Sequence, residues 1–288
     1  MKKVAAVVVL YNPDEDVIGN IETYLNQVDK LFVVDNSDVV DSSLAEKIKL
    51  MGNAEYICNK SNIGIAAALN VGAKKALNDG FKYLLTMDQD SRASSQMVEN
   101  LYGVMQSVNN AGILTAAHVN TGYQDEPGEK VTEEILYTMT NGNLLNLSSY
   151  QKVGEFLEEL FIDHVDHEYC LRLKKNDFKV LKTSKAIVYH KLGEETKKKL
   201  FFFHLYPTNH SPIRLYYRTR NRFYVDRIYK KIFPEYVRED RKHMLREMLE
   251  IFLYDDDLWK KVKMMFKGYL DYRKNNMGRY FNEPGKKF

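Results

Sequence analysis

Apolar residues gather in short runs at positions 4–10, 31–34, 54–58 and 83–87, a length that suits buried strands. Each gap between them holds enough chain for a helix, around 14–28, 42–51 and 63–77. Strands alternating with helices predict a parallel sheet covered by helices. Such a sheet takes its ligands where the strands end and the following loops gather. The polar residues just after each run are therefore the first to inspect: Asn12, Asp35-Asn36-Ser37, Asn59 to Asn62, and Asp88-Gln89-Asp90.

After 112–117 the rhythm changes. Residues 118–130 read as an exposed, turn-rich loop. A strand is expected at 135–140, then a loop with Asn141-Gly142-Asn143, a helix from about His164 to Lys175, and strands near 179–181 and 186–190. This half predicts a smaller mixed sheet extending the first, and 193–212 a long excursion. From Arg214 onward the pattern is helical. Met244, Leu245, Met248, Leu249 and Phe252 share one face, as do Trp259, Val262, Met265, Phe266 and Tyr269, and this is the spacing of core positions.

Charge sharpens the division. The chain carries 42 Lys+Arg against 39 Asp+Glu for a net +3, with 44% apolar residues, which excludes a disordered or strongly basic tail protein. Residues 1–212 hold −6, and 213–288 hold +9 together with 16 of the 35 aromatic side chains. Basic residues interleaved with Tyr and Phe can stack on bases, but the helical spacing of these aromatics argues for packing and against a nucleic-acid partner. Cys58 and Cys170 lie in apolar patterns without metal-ligand spacing and read as reduced core thiols. Lys2-Lys3 and the apolar run after them imitate a signal peptide, but the run is too short and Tyr11-Asn12-Pro13 stands where a cleavage site belongs. No run reaches the ~18 apolar residues of a membrane span, so the expected location is cytoplasmic.

The chemistry centres on carboxylates. Asp88 and Asp90 end an apolar strand two residues apart, so both project to one side, and hard oxygen donors there suit Mg²⁺ or Mn²⁺. Asp35 repeats the placement and can accept hydrogen bonds from a base or ribose; an Asx turn is the plainer reading. Asn62-Ile-Gly64 opens a small-residue helix that allows close approach of backbone or ligand, with neither a Walker loop nor GxGxxG. Asp163, Asp166 and Glu168 crowd a helix start, where acids favour the dipole or one serves as general base. His190 sits at a strand end before Gly193. Two other readings fit parts of this pattern: a phosphohydrolase with Asp88 as nucleophile and Asp90 as acid/base, and a non-catalytic protein whose basic tail binds membrane.

Taken in order, Val-Val-Val-Leu-Tyr11-Asn12-Pro, Val-Val-Asp35-Asn-Ser, Asn62-Ile-Gly64, Thr-Met-Asp88-Gln-Asp90-Ser, Phe-Ile-Asp163-His-Val-Asp166-His-Glu168-Tyr-Cys-Leu-Arg172, Val-Tyr-His190 and Arg214-Leu-Tyr-Tyr-Arg218-Thr-Arg220-Asn221 resemble the inverting nucleotide-sugar glycosyltransferases of family two. Bacterial polysaccharide rhamnosyltransferases are the most similar subset. The resemblance spans roughly 4–225. It implies a GT-A fold over 1–212, with a nucleotide-binding half to about 117 and an acceptor half beyond, followed by a helical segment at 213–288. It implies a dTDP-L-rhamnose or UDP-hexose donor and a saccharide acceptor; the charge split adds the expectation that this acceptor is polyprenyl-diphosphate-linked at the inner face of the plasma membrane. Tyr11, Asn12, Asp35, Asn62, Gly64, Asp88, Arg218 and Arg220 then contact the donor, and Asp88, Asp90 and His190 hold Mn²⁺ or Mg²⁺. Asp166 is the implied base, with Asp163 the alternative and Glu168 beside them. The tail is expected to be a basic lid or anchor on anionic membrane, or a homo-oligomer contact.

Overall fold

The strand β1 (Val4–Leu10) is buried along nearly its whole length because parallel neighbours flank it, β2 (Lys30–Asp35) on one side and β4 (Tyr83–Asp88) on the other. β3 (Ala54–Cys58) extends the sheet beyond β2. The crossovers are α1 (Val17–Leu25), α2 (Ser42–Lys49) and α3 (Ile65–Asn78). Asp41 starts α2 by accepting from the backbone N–H groups of Ser43 and Leu44. α3 lies very close to the sheet: a Cβ on Gly72 would stand 2.4 Å from Val7 Cγ2. These features come from a computed structural model, which describes residues 3–120, 131–190, 198–200, 203–205, 210–255 and 257–281.

Beyond β4 follow β5 (Ser91–Ala93), α4 (Met97–Ser107), β6 (Ala111–Asn120), β7 (Thr132–Glu134), β8 (Asn143–Asn146), α5 (Leu147–Val153), a 3₁₀ turn at Glu158–Leu160, α6 (Val165–Lys175) and β9 (Lys179–His190). The mixed half continues the first sheet rather than forming another. Nine strands run in the order β3-β2-β1-β4-β8-β6-β9-β5, with β7 against β9. β8 is antiparallel to both its neighbours, β4 and β6.

Three expectations change here. Residues 135–140 form no strand, and the short β7 precedes them; side chains hold this backbone instead, with Thr86 Oγ1 donating to Thr140 O and Asn143 Nδ2 to Met139 O. The two strands expected at 179–181 and 186–190 are one, β9, whose pairing with β6 shifts register between Ala116 and Ala117. His118, Val119 and Asn120 belong to β6 rather than to a loop, and 121–130 lie outside the described residues.

The chain divides into two compact units, Met1–Phe156 with Asp166–Leu192, and Leu157–Val165 with Gly193–Phe288. In the second, β10 (Lys198–Leu200) pairs antiparallel with β11 (Phe203–Leu205), and three helices follow: α7 (Pro212–Tyr229), α8 (Pro234–Tyr254) and α9 (Leu258–Arg273). Ser211 caps α7 ahead of a proline at its start. α7 and α9 meet backbone to side chain; a Cβ on Gly268 would fall 2.4 Å from Tyr216 O, and Tyr216 donates to Asp271 Oδ2 at 2.8 Å. The apolar stripes expected to be core are mostly outside it. Leu245, Met248, Leu249, Phe252, Trp259, Val262 and Phe266 are exposed, because α7 takes other positions of these helices, such as Gly268 and Asp271. No helix among the described residues is long and apolar enough to cross a membrane.

Candidate active site

The strand ends of the first unit are tied to one another by side chains. Asn36 Nδ2 donates to Asn62 Oδ1 at 3.1 Å and to Gly64 O at 3.3 Å, and Asn36 Oδ1 accepts from Ile63 N. This fixes the loop that leads into α3, where Gly64 at φ 89° takes a left-handed turn. Asn12, at φ 44°, donates its N–H to Ser37 Oγ, and Tyr11 exchanges two backbone hydrogen bonds with the Gln89 side chain. The loops after β1, β2, β3 and β4 therefore form one rim. Asp35 is buried in it, with Oδ1 accepting from Ser37 N and Oδ2 from Tyr56 OH at 2.5 Å. Burial first, and the hydrogen bond to Asp35 next, push the Tyr56 phenol up, so it stays a donor.

Asp88 is half-buried and Asp90 exposed at the same rim. Asp88 N donates to Asn141 Oδ1 at 3.2 Å, Asn141 Nδ2 donates to Ser91 Oγ at 2.8 Å, and Asn141 O meets His118 Nε2 at 3.0 Å. Asn141 thus holds both ends of the Asp-x-Asp segment, a role that its place in an Asn-Gly-Asn loop did not disclose. Ser91 is the register partner of His190 on β9, so the backbone of the third expected ligand lies beside the two carboxylates; its side chain is outside the described residues. Two hard carboxylates on a half-open rim have the chemistry to hold Mg²⁺ or Mn²⁺.

Asp166 stands in the first turn of α6, partly exposed, with Oδ1 accepting from His167 N at 2.9 Å. It lines a small cavity together with Thr86, Thr138, Thr140, Phe156 and Tyr169. Thr86 is two residues before Asp88 on β4, so the cavity joins the expected base to the Asp-x-Asp strand. The neighbouring Cys170 thiol is pushed up to about 12 by burial and donates toward Thr138 O, as a core thiol should.

Three expected site residues have other work. Glu168 is buried and forms a two-pronged ion pair with Arg172, which also donates to Val153 O and Glu155 O; it anchors α6 rather than facing a substrate. Arg220 is 1% exposed and donates to Gly278 O, Glu159 O and Leu160 O, so its guanidinium is spent on backbone instead of a phosphate. Arg218 pairs with Glu247 at 2.9 Å.

Asp163 belongs to the second unit. Phe161, Asp163 and His164 all have φ above 60°, a conformation costly for non-glycine residues. Asn221 overrides that cost: fully buried, it donates to Leu160 O, Ile162 O and Asp163 O at 2.8–2.9 Å. Asp163 Oδ1 accepts from Arg214 Nε at 3.4 Å.

Fold and site together define a glycosyltransferase of the GT-A class. The chain belongs to glycosyl transferase family 2, whose model matches residues 5–181. It is 30% identical over 235 residues to the dTDP-rhamnosyl transferase RfbF of Shigella flexneri, covering 76% of this chain and 78% of that protein. Among solved structures it is similar to GalNAc-T7 with UDP, GalNAc and Mn²⁺ (TM-score 0.64, 13% identity, 93% of this chain and 55% of that one). It is also similar to S. aureus TarS (TM-score 0.56, 15% identity, 93% and 43%). The chain thus spans about half the length of these solved proteins, and at such identity they speak for the fold alone. Family membership displaces the phosphohydrolase and the non-catalytic readings.

Proposed function

We propose that the protein is an inverting hexosyltransferase that moves L-rhamnose from dTDP-L-rhamnose to a hydroxyl of a saccharide acceptor. The observation that carries the chemistry is that Asp166 lines a small cavity with Thr86, two residues before Asp88 on β4. The likeness to a dTDP-rhamnosyl transferase supports the donor, and the basic charge of residues 213–288 supports a polyprenyl-linked acceptor at the inner membrane face. Asp35 and the Tyr11–Asn12 loop hold the nucleoside, with Asn62 and Gly64 shaping the floor. A divalent cation on Asp88 and Asp90, with His190 as a further ligand, would supply charge neutralisation for the departing diphosphate.

Asp166 accepts the proton of the acceptor hydroxyl as its oxygen bonds to the anomeric carbon from the face opposite the diphosphate. The glycosidic C–O bond to phosphate breaks in the same step, and its electron pair leaves on the nucleoside diphosphate. One base suffices, because the leaving group departs as a stabilised anion. The test is incubation with dTDP-L-rhamnose, UDP-glucose, UDP-galactose and GDP-mannose, with and without Mn²⁺, followed by NMR of the sugar released or transferred. Selective, cation-dependent turnover of the rhamnose donor with inverted anomeric configuration supports the proposal; turnover of another donor, or retention, refutes it.

A further inference from the structure

Eight of the sixteen large apolar side chains exposed among the described residues fall between Leu245 and Phe266. On α8, Leu245, Met248, Leu249, Phe252 and Leu253 lie within about 140° of the helix circumference. On α9, Trp259, Val262 and Phe266 lie within about 60°, and Lys260, Lys263 and Lys267 form the strip directly beside them. Exposure reaches 83% for Trp259, 67% for Phe252 and 61% for Phe266. Monomeric proteins rarely leave such stripes in water without a use.

The apolar stripe of α8 also runs into a basic cleft. Leu245 shares an open cleft of about 550 Å³ with Lys230, Lys231, Arg238, Arg241 and Lys242. Some of this charge is partly answered nearby: Arg241 meets Asp226, Arg238 and Lys242 meet Glu239, Lys260 meets Asp257 and Lys267 meets Asp271. Along α9 the cations outnumber the acids five to one, Lys260, Lys261, Lys263, Lys267 and Arg273 against Asp271; α8 carries four cations and five acids, of which Asp240 and Glu247 are engaged by Arg222. Aromatic and aliphatic side chains bordered by lysine are the composition of a helix lying in the interfacial layer of a bilayer. A second copy of the chain would bring lysine strips against each other, whereas anionic headgroups complement them.

We propose that α8 and α9 form a docking surface for an anionic lipid bilayer, with Trp259, Phe266 and Phe252 entering the interface and the lysine strip and basic cleft meeting headgroup phosphates. The proposal is independent of which sugar is transferred. Trp259 is the chain's one tryptophan, so the full-length protein reports on the surface without substitution. On adding phosphatidylglycerol-containing vesicles, Trp259 emission shifts to the blue by about 10 nm and brominated lipid quenches it, as expected for an indole entering the interface. Phosphatidylcholine vesicles give at least tenfold less binding, and salt at about 0.5 M releases the protein, as surface charge is screened.

Phe252→Glu with Phe266→Glu abolishes sedimentation with vesicles, and Lys260→Gln with Lys263→Gln weakens it at least threefold, while far-UV circular dichroism and nucleotide-sugar binding stay unchanged. Unchanged Trp259 emission on every vesicle overturns the proposal. So does a solution dimer in which Trp259 is already shielded and which Phe266→Glu dissociates, because the surface then belongs to a second copy.

Discussion

Single carboxylates that look alike in sequence sit in different surroundings in the fold. Asp166, partly exposed and lining the cavity beside Thr86, is the proposed base; Asp163 is half-enclosed with Arg214; Glu168 is buried on Arg172. Asp166→Asn should lower kcat by about 10²–10⁴-fold, the usual worth of a general base, with little change in donor affinity by titration. Asp163→Asn should cost less than tenfold, and the opposite ranking in steady-state kinetics would move the base to Asp163. Glu168→Gln should act on thermal stability more than on kcat. The carboxylates were legible as a cluster because six residues hold three acids. Their separation into roles was not, because it depends on partners at Val153, Glu155 and Thr86 that are distant in sequence.

Individual elements show where pattern reading succeeds and where it stops. β1 to β4 and their helices were legible because β1, β2 and β4 are buried on both faces, the edge strand β3 keeps the same apolar run though only half-buried, and each crossover follows directly. The segment 135–140 was misread because the Met139 and Thr140 carbonyls are satisfied by the side chains of Asn143 and Thr86, which no periodicity reveals. The stripes of α8 and α9 were misread as core because amphipathic spacing states that a face is apolar without stating what covers it.

Two elements carry stability predictions. Gly268→Ala places a Cβ against Tyr216 O and should cost about 1–3 kcal/mol in chemical denaturation, the range for overpacking. Asn221→Ala leaves three carbonyls of the strained 160–163 turn without their shared donor and should cost about 1–3 kcal/mol. Acid should also loosen the helical unit. Burial first, then Arg218, Arg214 and Lys261, hold the His210 imidazole at about 3 against an ordinary 6.5. Between those values the unfolded chain binds the extra proton, so stability is complete above 6.5 and falls as pH drops toward 3. His210→Gln should flatten that decline, measured as unfolding midpoint from pH 7 to pH 4.

For the whole molecule, the near-neutral total of +3 conceals an acidic portion and a basic one. The first unit carries the carboxylates suited to a cation and an acceptor proton. The second carries the exposed apolar and basic surface of α8 and α9. The central claim is that the Asp88–Asp90 strand end binds a nucleotide sugar through a divalent cation. Calorimetric titration of dTDP-L-rhamnose into the wild type and into Asp88→Asn/Asp90→Asn, with Mn²⁺ and with EDTA, tests it most directly. The account predicts binding to the wild type with Mn²⁺, and at least a tenfold loss both with EDTA and in the double variant. Equal binding under all four conditions, or none under any, would contradict it.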